Sequence, residues 1–263
     1  MAEHALALSF VVVAWWSSTA AVMWSAWQPE STRRVVGGVL TVFALFALAL
    51  TLWASRTPTA LGAYASFGAA LVLWGWHEMS FLSGRITGPR RQPCPRDARG
   101  WRRFRLATDT VIHHELALFG SVVGLVALTA SAPNRIALWT FGMLWIFRLS
   151  AKLNLFAGVP HVSSELLPPN LRYLISYFRR GPLGPGLVLS LLGTLALTAA
   201  LGLGAWRAAS EYELVSLSLL TGLAFLGVLE HLFLALPLED ARLFRWVAPG
   251  IDFAVEDSGG HDG

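Results

Sequence analysis

Seven apolar stretches of about twenty residues follow one another along the chain, each separated from the next by a polar or turn-forming segment. A bilayer core of roughly 30 Å is crossed by about 20 helical residues. The stretches, at 5–27, 35–54, 60–82, 106–129, 136–156, 187–206 and 214–236, all reach that length. They are rich in Leu and Ala and lack two-residue alternation, which predicts helices rather than strands. The expected fold is therefore all-α, a polytopic membrane helix bundle with one membrane domain over residues 1–237. Beyond it, residues 238–263 read as an acidic, glycine-rich cytoplasmic tail, partly disordered. Between the fifth and sixth spans, Leu171, Leu174, Ile175 and Phe178 recur at helical spacing after Pro169. That predicts a short amphipathic helix on the cytoplasmic face, with Tyr173 and Tyr177 at the headgroups, serving as a surface anchor or a docking surface.

Composition sharpens this picture. Of 263 residues, 55% are hydrophobic and 14% charged, against about 25% charged in a typical soluble domain. A soluble protein is excluded, and membrane lipids are the first expected partner; nothing in the chain calls for nucleic acid. Cys94 is the single cysteine, so an internal disulfide and a cysteine-based metal knuckle are excluded. Met1-Ala2-Glu3-His4 has no positive run ahead of the first apolar stretch, so that stretch is expected to remain as a span.

Charge then sets the orientation. Short cytoplasmic loops collect Lys and Arg. Fifteen arginines fall on one side, namely Arg33, Arg34, the eight from Arg85 to Arg105, Arg172, Arg179, Arg180, Arg242 and Arg245, while Arg56, Arg135 and Arg207 fall on the other. This predicts a multi-pass protein of the bacterial inner membrane with a periplasmic N-terminus and a cytoplasmic C-terminus. The arginine-rich loop between the third and fourth spans also suits anionic headgroups.

The candidate chemistry lies inside the spans. Glu78, His114, Lys152 and Glu230 each sit seven to nine residues from the cytoplasmic end of their helix, which at 1.5 Å per residue is about 10 to 13 Å deep. Four spans thus place ionisable groups at one level. A charge at mid-helix costs about 2.5 to 3.5 kcal/mol on the insertion scale, so Glu78, Glu115, Arg148, Lys152 and Glu230 must face one another, water or a ligand. Arg148 and Lys152, one turn apart, are the expected structural ion-pair partners of the three glutamates.

Four uses of this layer remain open. It can pin the helices together as an ion-pair and hydrogen-bond network. It can hold a metal ion such as iron, manganese or zinc through Glu78, His114, Glu115, Glu230 and His231, making the protein a membrane metalloenzyme, an oxidoreductase. It can bind a tetrapyrrole through His77, His114 or His231, with Trp74, Trp76, Phe119 and Trp145 as walls, or it can form a proton or ion path. No residue is assigned a catalytic role, and whether the protein is an enzyme is left open.

The segments Trp76-His77-Glu78-Met79-Ser80-Phe81-Leu82-Ser83-Gly84, Ile86-Thr87-Gly88-Pro89-Arg90 and Cys94-Pro95 resemble the photosynthetic complex assembly protein 2 family, PuhE, of purple phototrophic bacteria. Lys152-Leu153-Asn154-Leu155-Phe156, Gly158-Val159-Pro160, Glu165-Leu166-Leu167-Pro168 and Tyr173-Leu174-Ile175-Ser176-Tyr177-Phe178 agree with it, as do His114-Glu115 and Glu230-His231. The likeness runs from about Trp74 to His231; the first two spans match in hydropathy alone. It implies an inner (intracytoplasmic) membrane protein tied to assembly of the reaction centre and core light-harvesting complex, with those subunits as partners and bacteriochlorophyll as the candidate pigment. A scaffold in which the arginine loop and the amphipathic helix bind a partner subunit is the third expectation.

Overall fold

A computed structural model describes residues 2–162 and 167–237; the expected tail and Glu165 lie outside them. Among the described residues the fold is all-helical, with seven long helices: α1 (Ala2–Ala26), α2 (Glu30–Ser55), α3 (Ala60–Leu82), α4 (Gly100–Thr129), α5 (Ile136–Ala157), α6 (Pro185–Trp206) and α7 (Glu211–Ala235). Six of them are long and apolar enough to cross a membrane; α3, which mixes Gly, Ser, Tyr, Trp, His and Glu into its apolar run, falls outside that set.

α3 is the hub. One core lies on its first side, where Phe67 and Leu71 meet Val11 of α1, Leu144 of α5 and Leu219 and Leu223 of α7. A second lies on its other side, where Ala69, Ala70 and Leu73 meet Ala44 and Ala47 of α2, Leu118 and Leu125 of α4 and Phe141 of α5. Small residues let these helices approach closely, as expected where lipid supplies no hydrophobic drive between them. At Gly222 a Cβ would lie 3.2 Å from the Val11 side chain. Because this double enclosure buries nine of the twelve residues from Leu71 to Leu82, polar groups there must find partners inside the protein.

Two helices begin more than a turn before the apolar pattern indicates. α2 starts at Glu30 and α4 at Gly100, so Arg102, Arg103 and Arg105 belong to the first turns of α4 rather than to a loop. A helix can start among polar residues, whereas a hydropathy pattern only registers where it turns apolar. After α3, Gly84 takes a left-handed φ of +77°, and Gly84 N and Arg85 N donate to Phe81 O and Ser80 O, closing the helix end.

The segment expected as a surface α-helix is instead a 3-10 helix, η1 (Pro169–Tyr177), with Leu171, Leu174 and Tyr177 buried. Three residues per turn put i, i+3 and i+6 on one face. Tyr177 thus points inward, its hydroxyl accepting from Arg90 Nε at 2.6 Å and donating to Gln92 O at 3.0 Å, and only Tyr173 keeps a half-exposed position. Leu171 and Leu174 pack on Ala26, Phe81 and Leu82, so η1 caps the ends of α1 and α3.

At the opposite end, Asn134 ties α2, α3 and α5 together. Its buried Nδ2 donates to Ala54 O and Ser66 Oγ at 2.9 and 3.0 Å, and its Oδ1 accepts from Ile136 N at 3.0 Å. Leaving those groups unpaired costs about 1–3 kcal/mol. Asn134→Ala should therefore lower the melting temperature in detergent, while Asn170→Ala, which removes one partly buried bond to Leu82 O, should lower it less.

Candidate functional site

The last two turns of α3 carry His77 and Glu78 into the enclosed middle of the bundle, where they are 5% and 7% exposed. Glu78 Oε2 accepts from Arg148 Nη2 of α5 at 3.3 Å, and Arg148 Nη1 reaches Glu230 Oε1 of α7 at 3.0 Å. One guanidinium therefore bridges two carboxylates on different helices, which a planar, multi-donor cation does and an ammonium does poorly. One turn on, Lys152 Nζ pairs with Glu115 Oε1 of α4 at 2.6 Å, and the indole of Trp145 donates to Glu115 Oε2 at 3.1 Å. Arg148 and Lys152 thus divide the three glutamates between them. Phe81 lies between the two groups, 4.7 Å from the His114 ring and 5.3 Å from Lys152 Nζ.

The histidines are placed differently from one another. His231 of α7 is fully buried; its Nδ1 donates to Gly227 O at 2.7 Å, which leaves Nε2 to accept from the Ser150 hydroxyl at 2.9 Å. His77 Nε2 shares a 2.8 Å hydrogen bond with Ser121 of α4. His114 of α4 is fully buried with neither ring nitrogen hydrogen-bonded, its Nε2 facing Glu78 Oε1 at 3.7 Å. His113, its neighbour, points outward.

These distances bring side chains of α3, α4, α5 and α7 to one level. Ser190 extends the layer to α6, 2.8 Å from Ser150 and 3.0 Å from Asn154 Nδ2. The serines, Asn154 and the Trp145 indole are partners that the sequence reading missed. Ser121 follows His114 and Leu118 at helical spacing, so helix periodicity marks it as facing the layer, whereas Ser150, two residues from both Arg148 and Lys152, lies on another face of α5 that periodicity does not mark.

What the arrangement can do chemically is narrower than its residue types suggest. Each glutamate is engaged by Arg148 or Lys152, and among the described residues no three His, Cys, Asp or Glu side chains converge as a metal-ligand set. For a tetrapyrrole, an axial imidazole needs a free nitrogen facing open space. His231 has both nitrogens engaged, and His114 is wedged against the Phe81 ring. Of the suggested walls, Trp74 packs on Phe141, Trp76 donates to Thr41, and Trp145 binds Glu115 beside a half-exposed Phe119.

The layer is fixed from the arginine-rich end by the loop after α3. The backbone N–H of His114, which in an unperturbed helix belongs to the carbonyl four residues earlier, donates to Thr87 O at 2.9 Å, and Arg90 N donates to Asp109 O at 3.1 Å. Gly88 lies between these contacts against the α4 backbone.

Comparison with known proteins gives the chain its place. A Rhodobacter capsulatus protein described as "Uncharacterized 30.4 kDa protein in puhA 5'region" is 35% identical over 261 residues, covering 95% of this chain and 93% of that protein. No solved structure matches. The model of a family described as "Protein of unknown function (DUF3623)" matches residues 1–252, so the relationship takes in the first two helices, which the sequence reading had set apart. Residues α1 to α7, with the polar layer they enclose, are thus spanned by one family match, and the chain belongs to the DUF3623 family.

Proposed function

We propose that this protein is an integral membrane factor that assists assembly of the bacterial photosynthetic reaction centre and its light-harvesting complex, as the resemblance to the PuhE family implies. The observation that carries the reading is the near full-length relative encoded in the puhA region, a photosynthesis gene region. In this reading all seven helices cross the inner membrane, with α3 shielded from lipid by its neighbours and the arginine-rich end in the cytoplasm. The excess of arginines at that end supports the orientation. The polar layer serves as the pin that holds α3, α4, α5 and α7 in register, and any bacteriochlorophyll passes along the outer helix faces rather than onto the three buried histidines.

Deletion of the gene in a purple phototroph, followed by near-infrared absorption of isolated membranes, tests this. The expected result is a reduced content of assembled reaction centre and core antenna, restored by the intact gene. Unchanged spectra in the deletion strain would contradict it.

A further inference from the structure

The charges gathered in the layer do not cancel. Among the described residues, Glu78, Glu115 and Glu230 are in contact with two side-chain cations, Arg148 and Lys152. Of the described histidines at this level, His114 of α4 faces Glu78 and His77 of α3 lies beside it, while His231 of α7 is turned to Ser150; none of the three is a fixed positive charge. His231 is engaged at both nitrogens, by Gly227 O and by the Ser150 hydroxyl. Over these five side chains one negative charge is in excess, and for the enclosed Glu78 an unmatched charge is expensive.

Four buried polar atoms lie without a hydrogen bond in the same place: Glu78 Oε1, His114 Nε2, His114 Nδ1 and His77 Nδ1. The first two face each other at 3.7 Å. That gap is narrower than the roughly 4.5 Å that a bridging water spans with two ordinary hydrogen bonds, and under an ångström longer than one direct bond. Closing it by that amount would let a single proton bridge the two atoms with no room for a water between them.

We propose that Glu78 and His114 form a proton-binding site, in which one proton held between Glu78 Oε1 and His114 Nε2 neutralises the layer and latches α4 onto α3. Around it, α4 is also joined to α3 by the His77–Ser121 hydrogen bond and the Phe81–His114 ring contact, and to the loop after α3 by the bond from His114 N to Thr87 O. The bridging Arg148 and Glu230 side chains are 44% and 30% exposed, so the proton's route to the outside runs past them.

The full-length protein, labelled with 15N-histidine and 13C-glutamate in lipid nanodiscs, tests the site by nitrogen NMR and infrared spectroscopy at pH 7. The expected signal is one protonated pair per chain, seen as an imidazolium that is lost in H114Q or as a protonated carboxyl that is lost in E78Q. A neutral imidazole simply donating to an ionised Glu78 gives neither signal, and that result in the wild-type protein overturns the proposal. The decisive variant is E230Q, which touches neither member of the pair. By removing one negative charge it balances the layer without a proton, so the pair's signal at pH 7 should disappear; a signal unchanged in folded E230Q also overturns the proposal. Should the variants fail to fold, the wild-type spectrum alone decides.

Discussion

Arg148→Gln should destabilise the protein by about 1–3 kcal/mol, less than the loss found when one partner of a fully buried ion pair is removed, because the Arg148 side chain is 44% exposed while Glu78 is enclosed. The loss arises because Arg148 serves both Glu78 and Glu230, so its removal leaves two facing carboxylates, one of them 7% exposed, with no cation between them. Arg148→Lys should fall between the two, because a single ammonium cannot span both carboxylates in the same geometry. Arg34→Gln is the contrast. Its pair with Glu30 is exposed on both sides, and such pairs contribute about 0–1 kcal/mol. Thermal melting in detergent, read by far-ultraviolet circular dichroism, should show a large drop for Arg148→Gln and almost none for Arg34→Gln.

Gly88→Ala is the second large effect. A Cβ at Gly88 would lie 2.2 Å from Asp109 O, 2.6 Å from Thr110 C and 2.8 Å from Val111 N, and all three are backbone atoms that cannot rotate away. The loop would have to lift from α4, breaking the bonds from Arg90 N to Asp109 O and from His114 N to Thr87 O. Overpacking of this kind costs about 1–3 kcal/mol and occasionally more, and here it also releases the backbone beside His114. Gly120→Ala and Gly124→Ala, where nothing lies within 4 Å of the added Cβ, should be neutral or raise stability by up to about 1 kcal/mol, as alanine is the better helix former. Melting temperatures of the three variants side by side give the comparison, and a Gly88→Ala protein as stable as Gly120→Ala would remove the loop from its assigned role.

How much of this was legible in the sequence follows from the range of each interaction. The helices were, because apolar runs of bilayer length are a local signal; α3 over 60–82 coincides with its predicted limits. The starts of α2 and α4 were not, since Glu30 and Arg102 read as loop residues until the backbone is seen to be helical around them. The common level of Glu78, His114, Lys152 and Glu230 follows from counting residues, because rise per residue is fixed. Which cation meets which glutamate depends on the rotation of each helix about its own axis, and a count along the chain carries no such information. η1 was found but misjudged, because Leu171 and Leu174 satisfy both the α and the 3-10 repeat, and only the inward turn of Tyr177 distinguishes them. The seating of Gly88 on the α4 backbone joins residues that hydropathy treats as unrelated, and no local pattern announces it.

Arg148 joins Glu78 and Glu230 across three helices. A double-mutant cycle with Arg148→Gln and Glu78→Gln, each alone and together, measures that bond in the folded protein. The predicted result is a coupling of about 2 kcal/mol or more, with the double variant more stable than the two single losses summed; losses that add to within about 0.5 kcal/mol, as for independent sites, would show that these side chains do not meet.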